Sequence, residues 1–216
     1  MKNPPVSNGL FLATTSYQIG TTHTVYIKIV EKRMGVSTMT IAQTYLNVVQ
    51  KRFKSVKELG DKTLDQLEEA QLHWAYNEDS NSIAVIVKHV SGNMISRWTD
   101  FLTTDGEKVT RNRDDEFTDS LQTKEGVMAV WEKGWQVFLD ALQKLTEADL
   151  QGFVTIRGEK LSVIDAIERQ MAHYSQHVGQ IVYIAKQVKG SEWQTLSIPK
   201  GQSQTFTESM LKKHQQ

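Results

Sequence analysis

The chain has 216 residues, and its 25 Lys and Arg are balanced by 25 Asp and Glu, so the formal net charge is zero. That length suits one domain with a sizeable core, and the charge balance excludes the basic footprint of a nucleic-acid binder. Cysteine is absent, which removes disulfides, thiolate metal sites and a cysteine nucleophile.

No apolar run is long enough to cross a bilayer, and the opening MKNPPVSNGLFLATTS is a poor signal peptide. These features point to a cytoplasmic protein with no membrane partner. With 3 Pro and 13 Gly, few segments are broken, which favours helix.

Residues 1–37 stand apart, being rich in Ser, Thr, Asn and Gly and holding Pro4 and Pro5. Within them TVYIKIV has the β-branched character of a strand. This segment reads as an N-terminal extension or arm, and 38–216 as the domain proper. The first core helix is predicted over 40–59, with apolar steps of three and four at Ile41, Tyr45, Val48, Val49, Phe53, Val56 and Leu59. Gly60 and Asp61 are expected to end it. Thr63 and Gln66 match a capping box that would start a short helix through Leu72. A polar turn, YNEDSNS, follows.

The second helix is predicted over 82–102, with Ile83, Ile86, Val87, Val90, Met94 and Phe101 on its stripe. A charged loop, TTDGEKVTRNRDDEFTDS, leads to a third helix over 124–145 that buries Val127, Val130, Trp131, Phe138, Leu142 and Leu145. FVTIRGE is briefly extended. The fourth helix, over 162–189, buries a stripe that includes Ile167, Tyr174, Val178 and Ala185. The tail WQTLSIPKGQSQTF is expected to be irregular. Four amphipathic helices without a competing strand set give an all-α fold, a four-helix bundle. Its long inter-helix loops, each about twenty residues, are of the length that more often carries function.

The chemistry lies in the histidines. His173 and His177 are one turn apart on the fourth helix, so both imidazoles can aim at one point. His89 occupies a similar flank of the stripe on the second helix. Read alone, a His-x-x-x-His pair on a helix is more often exposed or capping than ligating. Three imidazoles at matching flanks of two helices instead suit a divalent metal with an open position. Imidazole favours zinc, nickel, copper and iron over magnesium and calcium. Each ligand should pass its other ring N–H to an acceptor, and Gln180, Asp165 and Glu168 are near enough in sequence to serve. His73 and His23 are weaker third-ligand candidates, and His214 lies in the tail. Asn93 and Arg97 follow His89 at helical spacing. They read as cofactor-orienting groups at a cavity mouth or as an ordinary helix-surface bond or salt bridge. Trp98, Trp131 and Trp135 read as packing, and RNRDDEF as a solvated loop with internal ion pairs or a lid.

Several features occur in a telling order: His89 within IVKHVSGNMISRW, then IRGEKLSVIDAIERQ, then HYSQHVGQI. With these, the chain from 39 to 206 resembles the DinB-like (DinB/YfiT-like) family of bacterial metalloenzymes. RWTDFLTTDGEK, RNRDDEF and LSIPKGQS are similar to a Bacillus-type branch of that family. The resemblance implies a four-helix bundle, often a homodimer, with nickel or zinc held by His89, His173 and His177. It also implies a small-molecule ligand and, for some relatives, a transferase or isomerase using a thiol such as bacillithiol. The expected function is therefore metal-dependent thiol S-transfer. The alternative is a non-catalytic metal-binding or stress-response interaction protein.

Overall fold

A computed structural model describes residues 39–215. The expected arm over 1–37, its strand-like TVYIKIV and His23 lie outside the described residues.

The elements in chain order are α1 (Ile41–Asp65), α2 (Glu69–Leu72), α3 (Ile83–Trp98), α4 (Lys124–Lys144), β1 (Phe153–Ile156), β2 (Glu159–Ser162), α5 (Val163–Lys189) and α6 (Ser203–His214). The described part is mostly helical, and within it the two strands pair only with each other. Among the described residues no helix is long and apolar enough to cross a membrane.

The long helices α1, α3, α4 and α5 share one core. Leu46, Val49, Phe53 and Leu64 come from α1, and Val127, Trp131, Trp135, Phe138 and Leu142 from α4. Ile41, Val48 and Leu59, assigned to the α1 stripe from sequence, are instead exposed. α1 also continues past Gly60. A Cβ there would meet the Trp131 ring, with Cη2 only 2.8 Å away. Gly60 therefore serves close helix approach rather than termination, and the Trp131 indole donates to Asp61 Oδ1 at 2.7 Å. Thr63 lies inside α1 with its hydroxyl on Leu59 O at 2.7 Å. The capping box belongs to Glu68 and Gln71, which open α2.

α3 is buried on nearly every side, including the polar His89, Ser91, Asn93, Ser96 and Arg97. A helix surrounded in this way is the centre of its fold. Ser82 caps it, accepting from Val85 N at 3.2 Å. It ends at Trp98 rather than at 102, where the chain turns through Asp100 at φ +49°. α3 packs most extensively on α4, because Gly134 admits Ser91, whose hydroxyl donates to the Val130 carbonyl.

The extended FVTIRGE becomes an antiparallel hairpin with Val154 opposite Leu161. Its turn, Arg157 and Gly158, has φ of +56° and +77°, the pattern of a two-residue hairpin turn with both central residues left-handed. Asp105 fastens the turn to the loop after α3, accepting from Arg157 N and Gly158 N at 2.8 Å each. Ser162 closes β2 and caps α5, accepting from Asp165 N at 3.1 Å. The tail is irregular only as far as α6, a helix whose side chains are all exposed.

A candidate metal centre

The position of the histidine pair is set by the aromatic core beneath it. Tyr174, next to His173, is fully buried against Phe138, Trp135 and Phe53. Its hydroxyl accepts from Trp98 Nε1 and donates to Asn93 Oδ1, both at 3.1 Å. Asn93 is one turn beyond His89 on α3. A single buried hydroxyl thus fixes the two histidine-bearing helices in register.

The three imidazoles face one another. Ring centroids are 5.5 Å apart for His89 and His173, 5.0 Å for His89 and His177, and 4.6 Å for His173 and His177. One ring nitrogen from each lies within 4.8 Å of the other two. His89 is buried, and the other two are half-buried. Two nitrogens sharing one ion at 2.0–2.1 Å in tetrahedral geometry stand ~3.3 Å apart, and Nε2 of His173 and of His177 are at 3.1 Å. The donor set therefore fits a borderline divalent metal.

The tautomers follow from the partners. Glu116 Oε2 lies 3.0 Å from His89 Nδ1. Burial pushes the Glu116 carboxyl up, but hydrogen bonds from Arg111 and His89 outweigh it and hold the group below the ordinary carboxylate range. An ionised carboxylate only accepts, so His89 carries its proton on Nδ1 and presents Nε2. Gln180 Oε1, also an acceptor, accepts from the His177 Nδ1–H at 2.8 Å. His177 Nε2 is then an acceptor, and the His173 Nε2–H donates to it; that proton would move to Nδ1 when Nε2 takes a metal. The bond leaves His173 Nδ1 buried without a partner among the described residues. Burial, followed by His177, His89, Arg111 and Arg97, depresses the His173 pKa to about 3. Burial first, opposed by Gln180 and reinforced by His89, also lowers that of His177. Neutral imidazole is the form a metal requires.

Glu116 is held in turn by Arg111, whose Nε and Nη2 reach its two oxygens at 2.6 and 2.7 Å. Phe117 stacks on His89 with centroids 4.8 Å apart. The loop is pinned to α3 by Lys88, which donates to Asp115 O at 2.6 Å and to Ser120 Oγ at 2.7 Å. Gly92 provides the opening, since a Cβ there would come within 2.8 Å of Glu116 Cδ. RNRDDEF is thus not simply a solvated loop: Arg111 and Glu116 are buried partners of the histidine site. The signal available in sequence was an Arg and a Glu beside an aromatic in an unusually long loop. Helical periodicity cannot say where such a loop docks.

Asn93 and Arg97 are both buried, so neither makes an ordinary surface contact. Arg97 Nη1 lies 3.2 Å from Glu107 Oε2, and Arg111 Nη1 and Arg157 Nε approach the same oxygen. Arg97 Nε has no hydrogen-bond partner among the described residues. Of the acceptors suggested by sequence proximity, Gln180 meets a histidine. Glu168 accepts instead from the Tyr45 hydroxyl at 2.8 Å, and Asp165 lies in the first turn of α5. His73 pairs with Asp119 at 3.0 Å, and His214 ends α6. Trp98, Trp131 and Trp135 are buried core residues.

A family profile described as a protein of unknown function, DUF1572, matches residues 40–202. The chain belongs to this DinB-like family. The DUF1572 match takes in all three histidines, the Glu116 loop and the hairpin. No curated protein matches the chain.

Proposed function

We propose that the chain is a four-helix bundle of the DinB/YfiT-like type that binds nickel or zinc through His89, His173 and His177. In this reading the site serves a thiol-dependent transferase reaction on a small molecule, in a cytoplasmic homodimer. One observation carries it: three ring nitrogens converge within 4.8 Å, with Nδ1 of His89 and of His177 already engaged. Three imidazoles favour zinc or nickel over magnesium or calcium and leave a coordination position open. A bound ion would supply a Lewis acid able to keep a small thiol such as bacillithiol as its thiolate at neutral pH.

The chain's own residues do the rest. Glu116 and Gln180 keep protons on Nδ1 of their histidines, which aims each Nε2 at the common point. Arg111 keeps Glu116 ionised. Arg97, buried with Nε unpartnered among the described residues, is the group able to receive a carboxylate of a cofactor, and Asn93 holds the Tyr174 hydroxyl. The chain has no cysteine, so the sulfur comes from the cofactor.

The second reading is a metal-binding or stress-response interaction protein without catalysis. The burial of His89 and the Phe117 ring stacked on it favour that reading, since closed sites are structural sites. Elemental analysis of protein purified without a histidine tag tests metal binding. Turnover of chlorodinitrobenzene with bacillithiol by the metal-loaded protein, absent in His89→Ala, supports the transferase. Metal binding without turnover of any thiol–electrophile pair supports the second reading.

A further inference from the structure

A groove with a volume of about 980 Å³ runs between residues 74–81 and α5. Trp74, Tyr76, Ile86, Gln180, Tyr183 and Ile184 are among its walls. Its aromatic groups are unusually open: Tyr76 is 80% and Tyr183 67% exposed, and Trp74 is 39%. Large aromatics left to solvent in a concave wall mark a binding surface. Asp79 is the one carboxylate among the described lining residues, which include no Lys, Arg or His. An anion would find no counter-charge there.

Gln180 sets the groove's chemistry. Its Oε1 is committed to His177, so the amide offers the groove its Nε2 donors. Gly179 lies in the same wall, and a Cβ there would meet none of the described residues within 4 Å.

We propose that this groove is a small-molecule site for an uncharged aromatic compound bearing a carbonyl or nitro oxygen. Its ring stacks on Trp74, Tyr76 and Tyr183, and its oxygen accepts from Gln180 Nε2. The site's role as the seat of the electrophile rests on the metal-site reading; binding itself does not. The volume lies within the range of single-ligand pockets, and the aromatic walls with one directed amide are the composition such pockets use.

The test uses the full chain and the fluorophore prodan, an uncharged naphthalene carrying one ketone, alongside the anionic anilinonaphthalene sulfonate. Saturable, blue-shifted prodan emission is expected, with the anion binding at least about tenfold more weakly. Gly179→Leu projects a side chain into the groove while favouring helix, so it should weaken prodan at least about tenfold with the melting temperature kept or raised. Tyr183→Ala should weaken it without loss of fold. Prodan binding unchanged in both variants overturns the proposal. So does sedimentation showing that Tyr183→Ala splits a dimer, because the groove is then an interface between copies. Prodan bound equally well by chelator-treated protein that takes up no zinc preserves the groove and removes the metal reading. Zinc uptake without prodan binding overturns the groove alone.

Discussion

The Tyr174 hydroxyl donates to Asn93 Oδ1 at 3.1 Å in the buried centre of the molecule, tying the neighbour of His173 to the residue one turn beyond His89. The same hydroxyl accepts from Trp98 Nε1. Tyr174→Phe leaves a buried acceptor and a buried donor unpaired, which costs about 1–3 kcal/mol for each such group. Denaturant unfolding should therefore show a clear loss with the fold retained. Because the bond sets helix register, zinc affinity measured by competition should fall as well. Unchanged zinc affinity in a destabilised Tyr174→Phe protein separates the packing from the site.

Glu116 acts on metal affinity without touching the metal. Glu116→Gln keeps the shape but removes the charge that fixes the His89 tautomer and neutralises Arg111. Losing such a partner typically weakens a metal site by about 10–100-fold. The expected result is that loss for zinc in a competition titration, with Glu116→Asp intermediate. Equal affinities in all three proteins would remove Glu116 from the site.

How much of this was legible beforehand depended on periodicity. The starts of α3, α4 and α5 were readable because Ser82, Thr123 and Ser162 each stand before an apolar stripe of helical spacing and cap through their side chains. His89, His173 and His177 could be placed on flanks for the same reason. Gly60 misled because a mid-helix glycine is read as a stop, whereas here it makes room for Trp131 from a helix distant in sequence. The α1 stripe misled because Ile41, Val48 and Leu59 fit helical spacing yet lie off the buried face. Glu116 and Arg111 were hidden because charge in a loop gives no sign of burial until Gly92 and Lys88 are seen to receive it. The helix α6 was missed because its start follows Pro199 and Gly201 and none of its side chains is buried.

The metal-free protein should be acid-labile through His173. Its ordinary pKa of 6.5 is depressed in the fold to about 3, chiefly by burial. The folded state holds it neutral while the unfolded chain takes up the proton. The contribution to stability is therefore fully present above 6.5 and is lost as pH falls from there towards 3. Denaturant unfolding of chelator-treated protein should show a falling stability over that window and a shallower fall for His173→Gln. Parallel curves for the two proteins would show that His173 protonates freely in the fold.

Two helical glycines should respond in opposite directions to alanine. At Gly134 a Cβ would stand 2.7 Å from the Ser91 Cα, and backbone cannot give way cheaply. Gly134→Ala should lose about 1–3 kcal/mol by overpacking. At Gly179 none of the described residues lies within 4 Å of an added Cβ, so Gly179→Ala should gain about 0.8–1.0 kcal/mol from helix propensity. Thermal melts of the two variants check both signs.

The most direct measurement is a thermal melt of wild type and His177→Ala, each with chelator and with added zinc or nickel, read beside the metal content of the untagged proteins. A ligand bound only by the folded state raises stability in proportion to its affinity. The expected result is one metal ion per wild-type chain and a marked upward shift with metal, with both lost in His177→Ala. The variant should keep a wild-type melt in chelator, since His177 is only half-buried. An equal response to metal in both proteins, or no metal in either, would contradict the three-histidine site.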